Sequence, residues 1–187
     1  MEVTVIKSNR RTVSIQVHPD MSVTVRAPKR ASQREIERIL KEKEQWIRKQ
    51  IQKMQEKKAA YAAMKIEPLT NAEIHALADR ALQYIPERVA YYANVIGVTY
   101  GRITIRNQKT RWGSCSSKGN LNFNCLLMLA PNDVIDYIVV HELCHRKEMN
   151  HSRAFWNEVA GVLPEYKSQE KWLRGEGSVL MQRLQQG

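Results

Sequence analysis

The chain has 187 residues, 43% of them hydrophobic, and carries 30 Lys or Arg against 19 Asp or Glu for a formal net charge of +11. That apolar content is enough for a real core in one domain, or in a domain with an extension. No run of about 20 apolar residues occurs, which excludes a membrane-spanning helix, and the N-terminus lacks a charged-then-apolar signal pattern. Cys115, Cys125 and Cys144 form no C-x-x-C pair and suit a reducing compartment better than a disulfide framework. The expectation is a soluble cytoplasmic protein.

Three short strands open the chain, at 3–7, 12–17 and 22–26, where residues alternate or are β-branched. Asn9-Arg10 and Pro19-Asp20 mark the turns between them, and the group reads as a small antiparallel meander. Ser32 then caps a helix, with Glu35 three residues on in capping-box position. Ile36, Ile39, Leu40, Trp46, Ile47, Ile51 and Met54 form one apolar stripe, so a single long helix is predicted to about Met64. Pro68 and Thr70-Asn71 break it, and a second helix covers about 72–96. Strand alternation resumes at 101–106, followed by a hairpin through Gly113 and Gly119.

Pro131-Asn132-Asp133 supplies the next helix start. Val134, Ile135, Tyr137, Ile138, Val139 and Val140 then run apolar on most sides, as a central helix does. A further helix begins near Ser152, with Phe155, Trp156, Val159 and Val162 on its core face. Pro164 starts a last one, ending near Gly175.

The expected class is α+β: the meander and long helix as one part, residues 1–66, and, since residues 141–145 on the central helix read His-Glu-Leu-Cys-His (H-E-x-x-H), a zincin-like core of helices and a β-hairpin as the other, 67–187. Charge divides along the same line. Residues 1–66 hold 16 Lys or Arg against 7 Asp or Glu, an excess of nine; the remainder holds 14 against 12, an excess of two. Lys49, Lys53, Lys57 and Lys58 are the densest group. The excess is either a solvated helix face or a surface that recruits a nucleotide, nucleic acid or acidic partner.

The chemistry concentrates at 141–151, which reads His-Glu-Leu-Cys-His-Arg-Lys-Glu-Met-Asn-His and holds three of the five histidines. On a helix, His141 and His145 lie one turn apart on one face and can bind one metal. Glu142, about 100° round, is angled toward a water on that metal and not toward the metal itself. Imidazole ligands suit Zn2+, which brings the pKa of bound water near 7. A third ligand requires the helix to end and the chain to turn back, bringing in His151, or the helix that follows to supply Glu158. The spacing favours His151. Metzincins have a glycine in this turn where Glu148 stands here, and Asn150 is the local residue best able to adopt a left-handed conformation. Cys144 reads as a core residue.

Several motifs occur in order: Arg111-Trp112-Gly113-Ser114-Cys115-Ser116-Ser117, then Gly119-Asn120-Leu121-Asn122-Phe123-Asn124 and the Leu-rich run to Pro131. Asp136-Tyr137 follows, leading into His141-Glu142-Leu143-Cys144-His145, and then Asn150-His151-Ser152 and Phe155-Trp156. On these the chain resembles the YgjP-like family of small zinc-dependent metallopeptidases, and more distantly SprT-like proteins. The resemblance implies His141, His145 and His151 as metal ligands and Glu142 as the catalytic carboxylate, and weighs against Glu158.

The expected function is therefore hydrolysis of peptide bonds in a peptide or protein substrate. A metal-dependent phosphoanhydride hydrolase acting on a nucleoside triphosphate is the alternative, kept open by the positive charge. A metal-bearing binding module without turnover is the third. On the substrate side, the hairpin strand beside the zinc helix can pair with an extended peptide. Arg111 can stabilise an oxyanion or hold phosphate, and Asn120 and Asn122 are further candidates to face substrate.

Overall fold

The computed structural model describes residues 3–18, 20–64 and 66–184, apart from the side chains of Lys57 and Ala62. Pro19, read above as a turn residue, and the Lys57 side chain lie outside the described residues. The chain is α+β and divides into two compact units, Met1–Lys65 and Ile66–Gly187.

The first unit has strands β1 (Val3–Ser8), β2 (Ser14–Val17) and β3 (Val23–Pro28), then helices α1 (Gln33–Glu42) and α2 (Glu44–Ala63). The expected antiparallel meander is corrected: the strand order is β1-β3-β2, with β1 parallel and β2 antiparallel to β3. Burial explains why. Val23, Val25 and Ala27 of β3 are fully buried, and Val25 and Ala27 pack with Ile36 of α1, so β3 takes the centre, while the more exposed β1 and β2 take the edges. The single long helix is also corrected. It is interrupted at Lys43, whose N–H bonds back to Ile39 and Lys41 and closes α1. The apolar stripe is shared between the two helices, Ile36 on α1 and Ile47 on α2, and Trp46 falls outside it, 45% exposed. Ser32 caps α1 through Glu35 N (3.2 Å). The reciprocal capping box forms instead at Thr70 and Glu73, at the head of the next helix.

That helix, α3 (Asn71–Ile96), opens the second unit and ends at Gly97, whose φ of 74° is a left-handed cap that glycine adopts without strain. A second mixed sheet follows: β4 (Ile103–Arg106), β5 (Gly113–Cys115) and β6 (Leu121–Asn124), in order β4-β6-β5. β6 pairs parallel with β4 and antiparallel with β5, so β5 is an edge strand. A 3-10 turn (Cys125–Leu129) leads into α4 (Asn132–Cys144), then α5 (Arg153–Val162), α6 (Tyr166–Arg174) and α7 (Glu176–Gln182). The helix after Pro164 is thus not the last: Gly175 closes α6, and α7 adds the buried Met181.

α4 lies against α3, β5, α5 and α6. Val134, Ile135, Tyr137, Ile138, Val139, Val140, Leu143 and Cys144 are all buried. Each such aliphatic contributes about 1.5–3 kcal/mol when fully removed from water. α4 is also tied to α3 by a two-pronged ion pair, with Arg88 Nε and Nη2 each 2.7 Å from Asp136 and Tyr92 Oη donating to the same carboxylate at 3.0 Å. The helix that carries the H-E-x-x-H residues is therefore fixed in place. No described helix is long and apolar enough to cross a membrane.

Candidate metal centre

His141 and His145 project from the last turn of α4, with His145 as the capping residue. The chain then reverses through short backbone hydrogen bonds: Arg146 N to Leu143 O at 2.9 Å, and Lys147 N and Glu148 N both to Cys144 O at 3.0 Å. Asn150 is not left-handed; the one non-glycine residue with positive φ among the described residues is Met21. Successive tight turns do the work expected of Asn150, and the Ser152 hydroxyl starts α5 by accepting from Phe155 N at 3.3 Å. His151 is thereby brought back over α4.

One nitrogen from each of the three imidazoles lies within 4.8 Å of the others. The Nε2 atoms of His141 and His151 approach to 2.9 Å. Two ring nitrogens at that distance need a proton or a metal cation between them. Burial, together with the neighbouring His145 and His151, pushes the His141 pKa down to about 3, so this imidazole is held neutral and keeps a lone pair on one ring nitrogen. His145 Nδ1 lies 3.0 Å from Glu148 O. A carbonyl only accepts, so Nδ1 carries the hydrogen and Nε2 keeps its lone pair for a ligand. This donor set fits a borderline-soft divalent ion such as zinc.

Aromatic rings fix the imidazoles. Phe155 stacks on His145 at 4.6 Å, and Trp156 lies over His151 at 5.8 Å. Tyr166 stacks in turn on Trp156 (5.3 Å) and Tyr137 (6.2 Å), and Tyr137 meets the edge of His141. Phe155 and Trp156 were expected as core; their second role, packing against the three imidazoles, is a matter of tertiary placement.

Glu142 is 5% exposed. Burial pushes its pKa up to about 8, against the opposing pull of Arg111 and the Cys115 N–H. The start of β5 closes directly on it: a Cβ at Gly113 would stand 2.7 Å from Glu142 Oε1. The cleft, of about 210 Å³, is lined by Gly113, Ser114, Cys115, His141, Glu142, His145, Met149 and His151. Larger grooves lie elsewhere: one of about 410 Å³ beside Arg80, Tyr84 and Ile135, and one of about 580 Å³ along α2. Neither has the imidazole cluster, which makes the smaller cleft the candidate site.

The remaining sequence candidates separate. Arg111 is exposed on the segment before β5, and its charge reaches Glu142. Asn120 and Asn122 do not line the cleft, because their side chains are engaged in the sheet. Asn120 Oδ1 accepts from Arg102 N (3.0 Å), and Asn122 Nδ2 donates to Ser114 Oγ (3.2 Å). Glu158 stands outside the imidazole cluster and pairs with Lys147 at 2.8 Å. Cys144 is fully buried, as expected, and burial pushes its thiol up to about 12. Cys115 lines the cleft with its thiol raised by burial and by Glu142, which works against a reactive thiolate.

Asn124 was not among the residues singled out from the sequence. It is fully buried, and its amide donates to Gln108 O (2.6 Å) and Arg111 O (2.9 Å) while its Oδ1 accepts from Leu126 N (3.1 Å). Asn124 thus holds the segment that leads into β5, whose Gly113, Ser114 and Cys115 line the cleft. The available signal was a lone polar residue between Phe123 and Cys125, in a run that is otherwise apolar.

A helix ending in two histidines, a reversal that returns a third, and a buried glutamate between them make up the layout of a metallopeptidase. The chain belongs to the YgjP-like family: it matches the family model "YgjP-like, metallopeptidase domain" over residues 11–75 and 65–176. No curated protein matches it. Among solved structures, the metallopeptidase zymogen abylysin of Pyrococcus abyssi is 24% identical, with a TM-score of 0.46 over 49% of this chain and 93% of that one. The zymogen jannalysin of Methanocaldococcus jannaschii is 23% identical, with a TM-score of 0.44 over 49% and 95%.

Proposed function

We propose that the protein is a zinc-dependent peptidase in which His141, His145 and His151 hold the ion and Glu142 is the general base. The observation that carries this reading is the convergence of three imidazole nitrogens within 4.8 Å, in one cleft with a buried carboxylate. When bound, zinc would supply Lewis acidity toward the scissile carbonyl and lower the pKa of a coordinated water to about 7.

The protein's own groups then have separate tasks. Glu142 accepts the proton of the attacking water and delivers it to the departing amine. Its pKa of about 8 without a metal belongs to an apolar pocket, and a nearby cation would favour the carboxylate form. β5 has one unpaired edge along the cleft and would receive an extended peptide by main-chain hydrogen bonds. Arg111 would face the developing oxyanion or a substrate carboxylate.

Family membership and an all-imidazole donor set support peptide-bond hydrolysis over the phosphoanhydride alternative, for which carboxylate-held magnesium is the usual arrangement. The test is hydrolysis of casein-type substrates and of nucleoside triphosphates by the purified chain, before and after chelation and after return of zinc. Chelator-sensitive, zinc-restored cleavage of protein alone is expected. Nucleotide hydrolysis with intact casein would reverse the assignment.

A further inference from the structure

The topology of the first unit gathers cations at one end of its sheet. β1 and β3 run parallel and end together, with Ser8 opposite Pro28 and Lys29 N bonded to Ser8 O at 3.1 Å. β2 is antiparallel and begins at that same end, with Ser14 opposite Arg26. Arg10, Arg11, Arg26, Lys29 and Arg30 are therefore placed around one sheet end, and Arg34 follows in the first turn of α1. All but the half-buried Arg10 are exposed.

None of these six forms an ion pair with a described carboxylate, whereas Arg38 and Arg48 further along pair with Glu42 and Glu44. The acids nearest in sequence are Glu35 and Glu37, and Glu37 already accepts from Gln33 (2.9 Å). Asp20 belongs to the opposite end of the sheet, where it holds Ser22.

Pairing register also puts Arg26 on the sheet face turned away from α1, since its neighbours Val25 and Ala27 point into the core. On that face Arg26 stands beside Ser14, whose hydroxyl accepts from Arg10 Nη1 at 2.9 Å, and Gln16 lies two residues along the same strand. Two guanidinium groups with neutral donors between them match phosphate oxygens. Five of the six cations are arginine, the side chain suited to forked contact with phosphate.

We propose that this sheet end binds the phosphodiester backbone of nucleic acid without reading its sequence. The inference rests on the first unit alone and is independent of the peptidase assignment. A row of cations set by strand register suits a regular row of phosphates, and it relocates the basic surface from the lysines of α2 to the arginines of the sheet.

The test is fluorescence anisotropy of a labelled 20-base-pair DNA duplex of arbitrary sequence with the full-length chain, from about 50 to 200 mM salt. Wild type is expected to bind, with affinity falling steeply as salt rises. Combined replacement Arg10→Gln, Arg26→Gln, Lys29→Gln and Arg30→Gln should weaken binding at low salt at least tenfold. It should also flatten the log–log salt slope by about 3 to 4, near 0.9 for each phosphate that is no longer neutralised. Lys49→Gln, Lys53→Gln and Lys58→Gln together should change the slope much less. If the fourfold variant melts early, Lys29→Gln with Arg30→Gln, both in an exposed turn, carries the same test with a slope change of about 2. No binding by wild type, equal loss in the α2 variant, unchanged binding in the sheet variants, or binding to anionic phospholipid vesicles but not to DNA would each overturn the proposal.

Discussion

Gly113→Ala places one methyl group against the proposed base. Gly113 does not have positive φ, so alanine brings no backbone strain. The added Cβ would stand 2.7 Å from Glu142 Oε1, 2.8 Å from Cγ and 3.0 Å from Cδ, where ordinary contact begins at 3.4 Å. The carboxylate must therefore retreat by about 0.7 Å or turn away, in a pocket where it is only 5% exposed. Overpacking of this kind costs about 1–3 kcal/mol, which for a chain of this size lowers Tm by roughly 2–12 °C. Misplacing a catalytic group by close to 1 Å costs about 100-fold in rate. The expectation is a kcat reduced about 100-fold, a modest fall in Tm, and unchanged metal content, because the atoms nearest the new methyl all belong to Glu142 and none to a histidine. kcat on a peptide substrate, metal analysis and a thermal melt read the three effects. Combining Gly113→Ala with Glu142→Gln should add little to the loss from Glu142→Gln alone, since both act through one group. Wild-type kcat in folded Gly113→Ala would refute the reasoning that β5 sets the position of Glu142.

Other consequences are open to measurement. His151→Ala should lose most bound metal while Glu158→Ala retains it, because Glu158 is engaged with Lys147 at 2.8 Å; metal analysis showing the reverse would transfer the third ligand to Glu158. Asn124→Ala should lower stability by about 2–4 kcal/mol in denaturant titration, since the carbonyls of Gln108 and Arg111 and the Leu126 N–H lose their partner together. An unchanged midpoint would mean that this segment holds itself. Asp136→Asn should cost about 1–3 kcal/mol by weakening the forked pair with Arg88, and metal content should stay as in wild type. Loss of metal in that variant would show that the α3–α4 tie also sets the site.

Much of the site was legible because it is local. H-E-x-x-H fixes two imidazoles and a carboxylate by helix geometry alone, and the apolar residues around 134–140 mark the helix as central. The return of His151 could be anticipated, but not how the turn is made: Asn150 was expected to be left-handed, and short-range hydrogen bonds at Cys144 O replace it. What was not legible is non-local. Strand order depends on which strand buries most, so β3 displaced β2 from the centre of the first sheet. Asn120 and Asn122 were candidates to face substrate, but Asn120 Oδ1 accepts from Arg102 N at the head of the second sheet and Asn122 Nδ2 donates to Ser114 Oγ across it. Asn124, two positions on, is the buried one. The close approach of Gly113 to Glu142 joins residues 29 apart and has no signature in spacing.

The central claim, that Glu142 is the base beside a metal held by three histidines, is tested most directly by Glu142→Gln. The amide is nearly isosteric but cannot take a proton from water. The account predicts wild-type zinc content, a wild-type melt, and peptide hydrolysis reduced at least about 100-fold. Zinc-loaded Glu142→Gln that cleaves peptide at the wild-type rate would contradict it.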